Sequence, residues 1–189
     1  MDLYLIRHTA VAVAGRCYGH TDVPLADTFA AEAAQLRAKL PDGAPGWRVL
    51  SSPAARCCRL AENLWPETAI AEDVRLRELH FGAWENRPWA DLPPDELNPW
   101  MADFVAQAPP GGEAFEHLHE RTGALLAELL AAPAAGPVAL VTHAGIVRSL
   151  LCHALELPLA QAFQVAVDFA SVSGLRHQHG RWEVRFVNR

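Results

Sequence analysis

Short apolar runs alternate along this chain with longer segments of helical periodicity. Three runs have the length of buried strands and are bounded by polar, glycine or proline residues, at 2–6, 47–50 and 138–141. Amphipathic patterns predict helices at about 28–39, 53–64, 115–132 and 145–154. Strands that alternate with helices predict an α/β protein, a three-layer α/β/α sandwich with a mostly parallel central sheet.

The boundaries of these elements carry their own signals. Ser52 suits a helix N-cap and Pro53 the first helical position, so a helix is predicted to start there. Pro41 and Gly43 are predicted to end the first helix, and a turn is predicted at 133–137. The remaining segments are predicted to be extended at 69–79, broken into short helical pieces at 88–108, and folded as strands at 164–167, 171–177 and 182–187.

Composition and charge narrow the classes of partner. A chain of 189 residues with 51% hydrophobic and 20% charged residues is expected to fold as one domain with a full core. The net charge of −6 disfavours nucleic acid as a partner. No apolar stretch reaches membrane-spanning length and the first residues do not resemble a signal peptide, so we expect no membrane partner and a cytoplasmic location. The sequence does not indicate an oligomeric state.

Two predicted strands end in histidine-containing segments. The first strand leads into Arg7-His8-Thr9, and the strand at 138–141 leads into Thr142-His143-Ala144-Gly145. Because carboxyl ends of parallel strands meet at one edge of a sheet, both imidazoles are predicted to lie there. Arg56 falls in the first turn of the helix that follows a third strand, and its side chain is expected to lean back toward the same edge.

A phosphate dianion matches this set of side chains. Buried guanidinium and imidazole groups need a compensating negative charge, and guanidinium forks bind phosphate oxygens in pairs. The helix that begins near Gly145 is expected to point free N–H groups at the same anion. A histidine in such a site can attack phosphorus and form a phosphohistidine that water hydrolyses. Glu78 is the candidate proton donor for the leaving group, provided that its loop folds over the pocket.

Four motifs in this order resemble the histidine phosphatase superfamily, which is also called phosphoglycerate mutase-like. They are Arg7-His8-Thr9, the segment 51–56, Arg77-Glu78 with the segment 81–85, and Thr142-His143-Ala144-Gly145. The resemblance implies a single domain over 1–189, with a lid-like insert at about 81–113, that works without a metal or other cofactor. It also implies roles for five residues: His8 as phosphorylated nucleophile, Glu78 as proton donor, and Arg7, Arg56 and His143 as ligands of the phosphoryl group.

A narrower resemblance concerns the substrate. Residues 15–26 and 110–113 are similar to segments of α-ribazole phosphatases, and this similarity implies removal of the 5′-phosphate from α-ribazole phosphate or from the corresponding cobalamin precursor. Tyr18 and Gly19 are the substrate contacts it suggests. Three alternatives stay open: a broad-specificity phosphatase of small phosphoesters, a phosphoglycerate mutase, and a non-catalytic phosphate-binding module. The mutase is disfavoured because mutases of this superfamily carry a longer insert after the acid residue.

Three further cases admit both a functional and a structural interpretation. Glu116, His117, His119 and Glu120 suggest a metal site, but residues two apart point to opposite sides of a helix, so an exposed helix face is predicted. His153 is interpreted as a packing residue. The tryptophans of the insert, Trp84, Trp89 and Trp100, would either line a pocket for a flat heterocycle such as benzimidazole or pack within the lid, and packing is favoured for most of them.

Overall fold

A computed structural model describes residues 1–41, 46–132 and 134–189. Within these ranges the chain forms one six-stranded sheet and five α-helices. The strands are β1 (Asp2–Arg7), β2 (Arg48–Ser51), β3 (Ile70–Glu72), β4 (Val138–Thr142), β5 (Val172–Gln178) and β6 (Arg181–Phe186). The helices are α1 (Phe29–Arg37), α2 (Ala55–Leu64), α3 (Pro94–Ala102), α4 (Phe115–Ala131) and α5 (Ala144–Leu155).

The sheet is parallel on one side and antiparallel on the other. Its strand order is β3-β2-β4-β1-β5-β6. The first four strands run parallel, whereas β5 pairs antiparallel with β1 and β6 antiparallel with β5. The carboxyl ends of β1, β2 and β4 therefore open at the same edge. This architecture confirms the predicted α/β class with a mostly parallel central sheet.

Helices cover both faces of the sheet, which explains why its central strands are continuous apolar runs. Successive side chains of β4 alternate between two cores. Val138 and Leu140 pack with residues of α4 and α5, and Ala139 and Val141 pack with residues of α1 and α2. The shared edge of the sheet is thereby placed between two rigid helical layers.

Several predicted boundaries are wrong. Residues 164–167 form no strand, because a 3-10 helix at Leu159–Gln164 precedes an irregular segment that crosses the edge of the sheet. The extended prediction at 69–79 holds only for β3, and a 3-10 turn follows at Val74–Leu76. Helix α2 starts at Ala55 instead of Pro53. The predicted helix stop at Gly43 and the first residue of the predicted turn at 133–137 lie outside the described residues.

His119 also departs from the exposed face predicted for its helix. Its Nδ1 lies 2.9 Å from the Ser149 hydroxyl, and its ring stacks on that of His153 with centroids 3.5 Å apart. His153 Nε2 in turn lies 2.9 Å from the carbonyl oxygen of His119. His119 is thus part of the interface between α4 and α5, and His153 packs there as predicted. None of the described helices is both long and apolar enough to span a membrane.

Candidate active site

The two predicted histidines meet at the edge where β1 and β4 end. The backbone N–H of His8 donates to the carbonyl oxygen of Thr142 over 2.9 Å, which ties the two strand ends together. The imidazole rings of His8 and His143 lie edge to face with centroids 5.2 Å apart. Both residues are at most 2% exposed. The pattern of strand ends therefore brings these side chains into one buried pocket.

A backbone carbonyl selects the tautomer of His8. Its Nδ1 lies 2.8 Å from the carbonyl oxygen of Thr9, which can only accept a hydrogen bond. Nδ1 therefore carries the proton, and Nε2 keeps its lone pair. Burial, reinforced by the positive charge of Arg56, holds the pKa of His8 well below its usual value. The imidazole is neutral and its free nitrogen is nucleophilic.

His143 is oriented from both sides. A guanidinium has no acceptor, so Arg56 Nη2 donates to His143 Nδ1 over 3.2 Å. His143 Nε2 then carries the proton and donates to Ser52 Oγ over 2.9 Å. Burial, and then the charge of Arg56, also holds the pKa of His143 well below its usual value. Ser52 thus contacts an active-site imidazole and is not the N-cap of α2.

The side chain of Arg56 extends into the pocket from the first turn of α2, and backbone carbonyl oxygens accept hydrogen bonds from its guanidinium group. Nη2 donates to the carbonyl oxygen of Gly19 over 2.7 Å, and Nη1 to that of Thr21 over 3.1 Å. Arg56 also forms an ion pair with Asp22 over 3.8 Å, and the Asp22 side chain is 61% exposed. Within the described ranges, Nε of Arg56 is buried without a hydrogen-bond partner. A buried positive charge compensated mainly by carbonyl dipoles creates a site for an anion.

Arg7, the last residue of β1, is held by the segment that precedes β5. Its Nη1 donates to the carbonyl oxygen of Val167 over 2.6 Å, and its guanidinium carbon lies 3.7 Å from the ring centroid of Phe169. Burial lowers the pKa of Arg7, against the opposing effect of the negative charge of Glu78. The Phe169 ring also lies 5.5 Å from the His8 ring. The segment at 165–169 therefore crosses the pocket beside the nucleophile candidate.

Glu78 lies at the N-terminus of α5, at the pocket. Its Oε2 accepts from the backbone N–H of Gly145 over 3.1 Å, and its Oε1 from that of Leu79 over 3.0 Å. A Cβ at Gly145 would overlap the Glu78 carboxylate, so the carboxylate can hold this position only beside a glycine. The N-terminus of this helix was predicted to donate free N–H groups to a bound anion. In the structure, the N–H of Gly145 donates to the Glu78 carboxylate instead.

Tyr18 and Gly19 lie in the loop that follows β1. The Tyr18 hydroxyl interacts with Arg7, and its ring centroid lies 5.3 Å from the guanidinium carbon of Arg56. Burial raises the pKa of Tyr18, so this hydroxyl is a neutral donor. Gly19 provides a carbonyl for Arg56, and a Cβ there would overlap the carbonyl oxygen of Leu79. Tyr18 therefore lies beside both arginines, and Gly19 has a structural reason to be glycine.

Glu85 organises this loop, although no functional role was predicted for it from the sequence. Its carboxylate accepts the backbone N–H groups of Gly19, His20, Thr21 and Phe81 over 2.9–3.1 Å. Burial opposes its ionisation, but these donors prevail and lower the pKa of Glu85 to about 2. The carboxylate therefore fixes the loop whose carbonyls hold Arg56. The signal in the sequence that could have identified Glu85 was the motif that places an acidic residue directly after Trp84.

No group of three or more histidine, cysteine, aspartate or glutamate side chains is arranged to hold a metal ion in the part of the chain that the structure describes. No metal was predicted from the sequence. The residues assembled at the strand ends are arginines and histidines with one carboxylate. Such a set is typical of a phosphate site in which arginines carry the compensating charge.

The fold and this cluster define a class of protein. The family model of the histidine phosphatase superfamily (branch 1) matches residues 3–189, and the chain belongs to this family. It is therefore a phosphatase, as the sequence motifs predicted.

Relatives of the chain carry related activities. An adenosylcobalamin/alpha-ribazole phosphatase of Salmonella typhimurium is 29% identical over 175 residues, which cover 89% of this chain and 86% of the relative. A "probable phosphoglycerate mutase" of Yersinia pestis is 30% identical over 190 residues, which cover 96% of this chain and 87% of the relative. The crystal structure of the alpha-ribazole phosphatase from Shigella flexneri has the same fold, with a TM-score of 0.90 at 24% identity and coverage of 100% and 96% of the two chains.

Proposed function

We propose that the protein is a metal-independent phosphomonoesterase that acts through a phosphohistidine on His8, with α-ribazole 5′-phosphate or the corresponding cobalamin precursor as substrate. The observation that carries the reaction type is the single tautomer of His8. A buried, neutral imidazole with Nδ1–H held by a backbone carbonyl presents Nε2 to a pocket lined by two arginines. The relative named adenosylcobalamin/alpha-ribazole phosphatase supports the substrate class.

The first step transfers the phosphoryl group to the protein. The Nε2 lone pair of His8 attacks phosphorus, an N–P bond forms, and the P–O bond to the alcohol breaks. The departing alkoxide takes a proton from the carboxyl group of Glu78. Arg7 and Arg56 bind the equatorial oxygens and neutralise their charge in the transition state.

The second step restores the histidine. The Glu78 carboxylate takes a proton from a water molecule, the oxygen attacks phosphorus, and the N–P bond breaks to release inorganic phosphate. Arg56 holds His143 at Nδ1 in both steps, so its Nε2–H is the group that can bind a ligand. It binds a phosphoryl oxygen when its Nε2–H turns from Ser52 toward the ligand.

The segment at about 81–113 acts as a lid of a single domain that spans 1–189. It holds α3 and two 3-10 turns, and its aromatic rings pack on one another: Trp84 and Trp100 lie edge to face at 5.6 Å, and Phe81 and Trp89 at 5.5 Å. Gly82 has a φ of 54°, and a Cβ there would overlap the carbonyl oxygen of Pro110, so both ends of the lid are joined at this glycine.

The mechanism is tested by turnover and by chemical trapping. The wild type should hydrolyse a phosphomonoester equally well with and without EDTA and should accumulate acid-labile protein-bound phosphate. His8→Ala should lose both properties, whereas His117→Ala, at an exposed histidine of α4, should keep them. Loss of turnover on chelation, or unchanged turnover in His8→Ala, would contradict the proposal.

The substrate is tested separately. The proposed assignment predicts that kcat/KM for α-ribazole 5′-phosphate exceeds that for ribose 5-phosphate at least about tenfold, since the base contributes binding energy. Equal values would favour a broad-specificity phosphatase. The relative named phosphoglycerate mutase makes phosphoglycerate interconversion a necessary control, and we expect none above background.

A further inference from the structure

An apolar cleft lies between α3 and the segment that follows α5, and three of its four lining side chains are aromatic. Trp100 and Met101 of α3, Phe104 and Phe163 enclose about 290 Å³, and we call this the aromatic cleft. Phe104 and Phe163 meet edge to face with centroids 4.7 Å apart. Phe163 is 53% exposed and Met101 63% exposed. Large apolar side chains grouped around an open cavity mark a binding site more often than a packing fault.

The cleft lies on the side of the pocket from which the alcohol must leave. A proton donor acts on the ester oxygen, so the alcohol part of the substrate extends past Glu78. Glu78 is bonded to Gly145 at the start of α5, and Arg148 lies one turn along the same helix. The guanidinium carbon of Arg148 is 4.9 Å from the ring centroid of Phe163. A path of adjacent residues thus leads from the proton donor to the aromatic cleft.

The segment that follows Phe163 connects the cleft to the nucleophile. Arg148 Nε donates to the carbonyl oxygen of Val165 over 3.1 Å, and Arg7 Nη1 donates to that of Val167. The Phe169 ring then contacts the guanidinium group of Arg7 and the imidazole ring of His8. Both arginines hold this segment in place, so the cleft has a fixed position relative to the phosphate site.

The cleft volume lies near the lower limit for ligand pockets, so it suits a fragment such as one flat ring system.

We infer that the aromatic cleft binds the alcohol part of the substrate and takes a flat apolar ring system. The inference rests on the proposed function, because it assumes that the phosphoryl group is bound between Arg7 and Arg56. It assigns Phe163, Met101 and Trp100 as residues that determine specificity and take no part in the transfer of phosphate.

Matched phosphate esters test the cleft directly. The probes are ethyl phosphate and 2-(naphthyl)ethyl phosphate, which share an alkoxide leaving group and differ by a two-ring system. Phe163→Ala and Met101→Ala should each raise KM for the naphthyl ester about tenfold and change kcat/KM for ethyl phosphate less than about twofold. Met101→Ala leaves the contacts of Arg148 untouched. Leu155→Ala removes a comparable exposed side chain, 45% exposed at the far end of α5, and serves as control.

Equal losses on ethyl and naphthylethyl phosphate, or none on either, would overturn the inference. If the wild type fails to prefer α-ribazole 5′-phosphate over ribose 5-phosphate while the naphthyl effect persists, the proposed substrate is wrong and the cleft assignment stands.

Discussion

Glu85→Gln is the substitution that best separates loop organisation from chemistry. The carboxylate accepts backbone N–H groups with both oxygens: Oε1 is bonded to Gly19, His20 and Phe81, and Oε2 to Gly19 and Thr21. A glutamine side chain has one acceptor oxygen and one NH₂ group, so either orientation places donors against donors. The loop that carries the carbonyl partners of Arg56 should therefore loosen.

The magnitude follows from the pKa of Glu85, which is lowered from 4.5 to about 2. A shift of this size corresponds to about 3 kcal/mol of folding stability, and solvent screening of a half-buried carboxylate reduces the figure to about 2 kcal/mol. For a domain of this length the melting temperature should fall by about 4–8 °C. Displacement of Arg56 should lower kcat/KM roughly 10- to 100-fold.

The assay is thermal unfolding at neutral pH, together with phosphomonoesterase activity. Glu62→Gln, at an exposed glutamate of α2, is the matched control and should change neither quantity. Because the folded-state pKa of Glu85 lies below its unfolded value, its stabilisation is complete above pH 4.5 and is lost as the pH falls toward 2. The Glu85→Gln variant should not show this loss of stability as the pH falls. A melting temperature within about 1 °C of the wild type would refute the reasoning.

Three other substitutions test separate parts of the site and the fold. Gly145→Ala should push the Glu78 carboxylate aside and lower kcat at least about tenfold with little change in melting temperature, as measured by steady-state kinetics and thermal unfolding. Arg56→Lys cannot reproduce the three bonds of the guanidinium fork and should lower kcat/KM about 100-fold; activity near that of the wild type would remove Arg56 from the phosphate site. Burial, and then the charge of His153, lowers the pKa of His119 to about 4, so its contribution to stability is complete above pH 6.5 and is lost as the pH falls toward 4. His119→Phe should flatten this part of the curve of melting temperature against pH, and an unchanged slope would contradict the assignment.

The parts of the site that could be predicted from sequence share one property. Arg7, His8 and His143 directly end or follow strands whose apolar runs are unbroken, and Arg56 opens a helix after another strand. Strand direction alone places such residues at one edge of the sheet. Local pattern was therefore sufficient for them, and it was also sufficient for the α/β class.

The parts that were missed depend on contacts between distant segments. Ser52 looked like a helix cap, but its hydroxyl faces His143, which lies 91 residues away. Glu85 was predicted only as part of a motif, yet three of its four backbone partners lie 64–66 residues earlier. Residues 164–167 were interpreted as a strand, because apolar residues do not reveal that the segment continues past Arg7 and His8 instead of joining the sheet. Tertiary contacts decide these cases, and no local pattern encodes them.

The position of β1 has a consequence for how the molecule folds. This strand is followed at once by His8, but its sheet neighbours are β4 and β5, which lie about 136 and 170 residues further along the chain. Arg7 is bonded to Val167, 160 residues away. The phosphate pocket therefore closes only after almost the whole domain has been synthesised, and folding must be dominated by long-range loop closure. A chain that stops before residue 165 keeps the four motifs that resemble the family and lacks the segment at 165–169 that secures Arg7.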